Sequence, residues 1–120
     1  MNFTDLEVWK KARVFRNKIF NLTTNFPKEE RYSLTDQLLR ASRSVTANIA
    51  EGHGRYHFQE NIRFCRIARG SLFEVLDHLI CAADCQLITQ EQLLGFKEEL
   101  EQINRILNGY IGYLKKQKQG

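Results

Sequence analysis

The side chains of this chain with the most chemistry to offer are arginines at helical spacing. Arg40 and Arg43 stand three apart, Arg55 follows, and Arg63, Arg66 and Arg69 continue in steps of three. A guanidinium is planar, permanently charged and matched in geometry to phosphate oxygens. Arg40, Arg43, Arg55, Arg63 and Arg66 are therefore candidate nucleic-acid contacts, and Tyr32, Tyr56 and Phe58 offer ring faces on which unpaired bases can stack. The plainer reading of the same charges is a solvated surface with local pairs such as Glu60 with Arg63.

Metal and catalytic chemistry find less support. A di-metal carboxylate site in a helical bundle wants Glu-x-x-His pairs, because that spacing turns both ligands inward. Ala50, Gly54 and Val75 stand three before His53, His57 and His78, so the pattern is absent. His78, Cys81 and Cys85 are spaced three and four apart, and imidazole with thiolates suits zinc. No paired motif accompanies them, and buried cysteine acting as a small hydrophobe explains them better. His53 and His57 flank a glycine-containing loop near Glu51 and read as solvated. Gly52-x-Gly54 lacks the preceding strand of a phosphate cradle. The expectation is a binding module that is not an enzyme, with no cofactor and no metal.

Two strips of residues sit where an apolar face should be. Ser44, Asn48 and Glu51 line one side of the second helix, and Ser71 and Glu74 have matching spacing on the third. A buried asparagine in a helical bundle acts chiefly as a register-setting device, so these five are read as a structural polar strip. On the third helix, Ile62, Arg66, Arg69, Phe73 and Ile80 mix arginine with large apolar side chains. That mixture is typical of a subunit contact, and self-association follows as an expectation.

Four helices are needed to position these groups. Apolar residues recur in steps of three and four through Val8–Phe26, Leu34–Ile49, Phe58–Leu79 and Leu93–Leu114, one buried stripe per helix. The predicted helices cover about 4–25, 33–52, 57–85 and 89–116 of one 1–120 domain, with short connections that favour an all-α, up-down-up-down antiparallel four-helix bundle. Thr4 with Glu7, Ser33 with Asp36 and Thr89 with Gln92 are capping-box pairs, and Phe3–Val8 and Ile88–Leu93 are staples. The last six residues read as a fraying polar tail.

The 120 residues are 42% hydrophobic and 27% charged, ordinary for one globular domain. Net charge is +4 and uneven. Residues 1–75 carry thirteen Lys/Arg against eight Asp/Glu, giving +5, and the remainder carries five against six, giving −1. A basic N-terminal part suits a polyanionic partner. No apolar run reaches membrane-spanning length and no secretory leader is apparent, so no membrane contact and a cytoplasmic location, with reduced cysteines, are expected.

Four blocks of residues carry a resemblance. They are Phe3-x-x-Leu6-x-x-Trp9-Lys10-x-Ala12, Phe26-Pro27-x-x-Glu30-x-Tyr32-x-Leu34-x-x-Gln37-Leu38-x-Arg40-Ala41, Ser44-Val45-x-x-Asn48-Ile49-Ala50-Glu51-Gly52 and Ala68-Arg69-Gly70-Ser71-x-x-Glu74. They resemble the bacterial four-helix-bundle family first described as proteins encoded in intervening sequences of large-subunit (23S) ribosomal RNA genes. The resemblance implies a ring-shaped homo-oligomer, a pentamer. More distantly, the chain is similar to accessory proteins of diversity-generating retroelements, which bind nucleic acid and a reverse transcriptase. The family name reflects gene location and implies no ribosomal role. The resulting expectation is a non-enzymatic, oligomeric bundle that associates with RNA or DNA. The alternative is a protein-interaction scaffold with an incidental basic surface.

Overall fold

The computed structural model describes residues 1–119. Four helices account for most of them: α1 (Glu7–Thr23), α2 (Leu34–Gly54), α3 (Phe58–Asp84) and α4 (Gln90–Gln119). Two single 3-10 turns, Phe3–Asp5 and Lys28–Glu30, precede α1 and α2, and no strand occurs among the described residues. At 1.5 Å per residue the helices run from about 25 to about 45 Å. The molecule measures 50 × 24 × 20 Å, so α3 and α4, the two longest, must lie close to its long axis.

Neighbouring helices run antiparallel. Ser44 meets Ser71 while Gly52, further along α2, lies against Asn61, earlier in α3. Asn61 reaches Tyr110 near the end of α4, and Arg69 reaches Asn108. Arg16 of α1 bonds Thr46 of α2 at 3.1 Å, and Lys18 pairs with Glu99 of α4 at 3.2 Å. Each helix thus packs on two neighbours, and the four stripes close one core. Phe15, Ile19, Leu38, Ile49, Leu72, Leu79, Leu100, Ile103 and Leu107 are its largest fully enclosed members. Each such side chain contributes about 1.5–3 kcal/mol of transfer free energy.

Helix ends depart from the sequence reading in instructive ways. The box that opens the chain is Asn2 with Asp5, on the first 3-10 turn, and not Thr4 with Glu7. Leu6 caps α1 without a side-chain bond. Phe3 meets Trp9 edge-to-face at 5.2 Å between ring centres. Ser33 does not cap α2 either; its hydroxyl donates to Glu30 Oε1 at 2.9 Å. The α4 box does form: Gln92 N–H donates to Thr89 Oγ1 at 3.0 Å, and Thr89 N–H to Gln92 Oε1 at 2.9 Å.

The two tight turns use side-chain-bearing residues where glycine is usual. Tyr56 (φ 61°) follows α2, and Gln86 (φ 62°) follows α3. At the latter, Gln86 N–H donates to Ala83 O and Leu87 N–H to Ala82 O. These two bonds make a complete Schellman motif. The tail expected to fray is helical as far as Gln119. No helix among the described residues is long and apolar enough to cross a membrane.

Candidate nucleic-acid interface

The five candidate arginines divide into two groups. Arg40 and Arg43 lie in the first half of α2. Arg40 sits 4.0 Å from Asp36, both well exposed. Arg43 shares a shallow hollow of about 360 Å³ with Arg16, Asn17 and Phe20. Arg55, Arg63 and Arg66 gather at the α2–α3 turn. Arg55 Nε is 3.0 Å from Glu51 and Arg63 is 3.1 Å from Glu60, and both guanidiniums lie over the Phe64 ring, at 5.2 and 4.7 Å. Arg66 is exposed and has no carboxylate within 4.0 Å among the described residues.

The length of α4 adds two cations to the second group. Its last turns return to the first turns of α3, so Lys115 and Lys118 face Arg63 and Arg66 across a hollow of about 330 Å³, with Glu60 the one acid on its wall. Read alone, those lysines look like a solvated tail; only the antiparallel pairing of α3 with α4 brings them to the arginines. Exposed pairs such as Arg63–Glu60 are worth at most about 1 kcal/mol, so a phosphate can displace the glutamate.

At the same end of the bundle is an aromatic cleft of about 480 Å³, between Met1 and Leu6 of the N-terminal segment, the α2–α3 turn and α4. Tyr56, Phe58, Tyr110 and Tyr113 line it, with His53 and His57. Phe58 belongs by spacing to the inward stripe of α3, but it is the first residue of that helix and remains 45% exposed. At the floor, Asn61, 7% exposed, donates from Nδ2 to the Tyr110 hydroxyl at 3.1 Å and accepts from the Cys65 thiol at 3.5 Å. Burial raises the Tyr110 hydroxyl above its ordinary value, with the Asn61 bond opposing that rise. Burial pushes the Cys65 thiol up to about 12. Both keep their protons at neutral pH. Tyr32, the third expected stacking ring, lies before α2 with Arg31 over its face, away from this cleft.

Three of the five polar-strip residues come together. Asn48 Nδ2 donates to Ser44 O at 2.8 Å and to Ser44 Oγ at 2.9 Å. Ser44 Oγ and Ser71 Oγ are 2.9 Å apart, and Ser71 donates to Ile67 O at 3.2 Å. Glu51 and Glu74 do not join. Each is exposed and taken by the residue four further on, Glu51 by Arg55 and Glu74 by His78 at 3.2 Å. The asparagine that reaches across helices is Asn61, whose sequence signal was only its position beside an otherwise apolar stripe.

The strip expected at a subunit contact is also divided. Ile62 is 5% exposed and belongs to the core. Arg69 donates to Asn108 Oδ1 at 2.7 Å and so is held within its own chain. Arg66, Phe73 and Ile80 remain outward, the last two about half exposed. Cys81 and Cys85 are exposed, contrary to a role as small core hydrophobes; only Cys65 has it. The described residues contain no group of three or more His, Cys, Asp or Glu side chains placed to hold a metal ion.

A family model described as 23S rRNA-intervening sequence protein matches residues 4–109. No curated protein matches the chain. Among solved structures, a protein with unknown function from the S23 ribosomal protein family of Bacteroides thetaiotaomicron is similar. It shares 24% identity and a TM-score of 0.76, over 87% of this chain and 97% of that one. That likeness is one of fold.

Proposed function

The chain belongs to the 23S rRNA-intervening sequence protein family, and from that premise we propose that it is a non-enzymatic, RNA-associated helical bundle acting in the cytoplasm as a homo-oligomer. The observation that carries this reading is the convergence of Arg63, Arg66, Lys115 and Lys118 on one hollow, opposed there by Glu60 alone. Four flexible cations around a concavity suit phosphate oxygens, and repetition in a ring, a pentamer by the family resemblance, multiplies the attraction. Arg55, next to Tyr56, extends this surface; Arg40 and Arg43 form a separate and weaker one.

Neutralising phosphates releases condensed counterions, so binding must fall with salt. Four phosphate contacts on a single strand imply a loss of about 50-fold between about 50 and about 200 mM salt. Fluorescence anisotropy with a labelled RNA at those two concentrations is the test. A protein that leaves the RNA free even at the lower salt is not an RNA-binding protein.

The second reading is a protein-interaction scaffold, favoured by the exposed Phe73 and Ile80 on α3. A partner captured equally well from untreated and nuclease-treated lysate supports the scaffold against the RNA reading.

A further inference from the structure

We propose that the cleft between the α2–α3 turn and the last turns of α4 holds one unpaired base of a single-stranded RNA, with the neighbouring cations on the adjoining phosphates. This rests on the RNA-association reading above and narrows it to a strand class and a site.

The rings come first. Tyr110 and Tyr113 are nearly parallel, 13° between planes and 6.3 Å between centres, and Tyr113 is 55% exposed. A flat base laid on the outer face of Tyr113 continues that stack. Phe58 and Tyr56 line the same cleft from the α2–α3 turn, and Tyr56 is 89% exposed. Base–aromatic stacking is sequence-tolerant, because every base has a π-face.

The polar groups distinguish a base from plain hydrocarbon. The Tyr110 hydroxyl accepts from Asn61, which leaves its own proton to donate, and no acceptor for it is found among the described residues. Its raised pKa keeps that proton in place. His53 and His57 add ring nitrogens at the rim.

Charge completes the case. The cleft and the hollow both draw on the first turns of α3 and the last turns of α4, on different faces of those helices. A strand that passes around this end of the bundle can place a base in the cleft and nearby phosphates in the hollow. A base within a duplex is stacked on both faces and must be extruded to enter.

The test uses an RNA of about ten nucleotides carrying one 2-aminopurine, alone and annealed to its complement, with anisotropy and 2-aminopurine fluorescence read on the full chain. The single strand should bind at least about tenfold tighter than the duplex, with the fluorescence quenched on binding. The Tyr56→Ala/Tyr113→Ala variant should lose about tenfold in affinity and lose the quench, with its salt slope unchanged. Both residues are exposed; if the pair reduces helicity by circular dichroism, Tyr113→Ala alone carries the test. The Lys115→Gln/Lys118→Gln variant should flatten the salt slope and keep the quench at low salt. Equal affinity for duplex, or an undiminished quench after removal of the rings, overturns the cleft and leaves RNA association standing. Absence of any RNA binding by the unaltered protein overturns both.

Discussion

Gly52 lies at a close approach of α2 to α3. A methyl group there would stand 2.7 Å from Asn61 Oδ1 and 2.9 Å from Phe64 Cβ. Phe64 Cβ is fixed to its backbone, and Asn61 is held by Cys65 and Tyr110, so neither can step aside. Alanine at this position gains about 1 kcal/mol of helix propensity but overpacks by about 1–3 kcal/mol. The clash dominates, and Gly52→Ala should lower the melting temperature by several degrees. Gly109, in the interior of α4, has nothing within 4 Å of the same added atom. Gly109→Ala should raise stability by up to about 1 kcal/mol. Thermal melts of the two variants give opposite signs if the close approach is real; the same sign for both would contradict it.

The helices themselves follow from spacing alone, because a stripe repeating in threes and fours has one way to be buried. Their ends were less legible. Thr4-x-x-Glu7 and Asn2-x-x-Asp5 are both acceptable boxes in the same six residues, and local sequence does not decide which one the packing of Phe3 on Trp9 selects. Gln86 carries no turn signal at all. It is left-handed because Leu87 and Ile88 must turn back into the core, and that tertiary gain outweighs the local cost of about 1–2 kcal/mol. Gln86→Gly removes that cost and retains both Schellman hydrogen bonds. It should stabilise the protein by about 0.5–1 kcal/mol, read as a higher denaturation midpoint at unchanged m-value. A lower midpoint would show that the glutamine side chain contributes contacts of its own.

For the molecule as a whole, the site was the part sequence reasoning reached least. Arg63 and Arg66 were visible as a spaced pair, but Lys115 and Lys118 join them only through the antiparallel return of a 30-residue helix. Likewise Tyr113 stands 57 positions after Tyr56 (113 minus 56), and no local pattern links them. The proposed contact between copies depends on this scale too. With Ile62 in the core and Arg69 held by Asn108, Phe73 and Ile80 are the apolar groups of that strip left for a second copy. A carboxylate at the centre of such a contact is desolvated without a partner. If the protein self-associates as proposed, Phe73→Glu should reduce the particle mass by light scattering while leaving helicity intact, whereas an unchanged mass rules Phe73 out of a contact between copies.

The two hydroxyls and the amide of Ser44, Ser71 and Asn48 have one further effect. If α3 slid along α2 by a single turn, about 5.4 Å, the Ser44–Ser71 hydrogen bond, the one in this group that crosses between the helices, would break at a cost of about 0.5–1.5 kcal/mol. They act as a key cut for one alignment. A shifted α2–α3 hairpin is disfavoured, which keeps the start of α3 where Asn61 can meet Tyr110 near the end of α4.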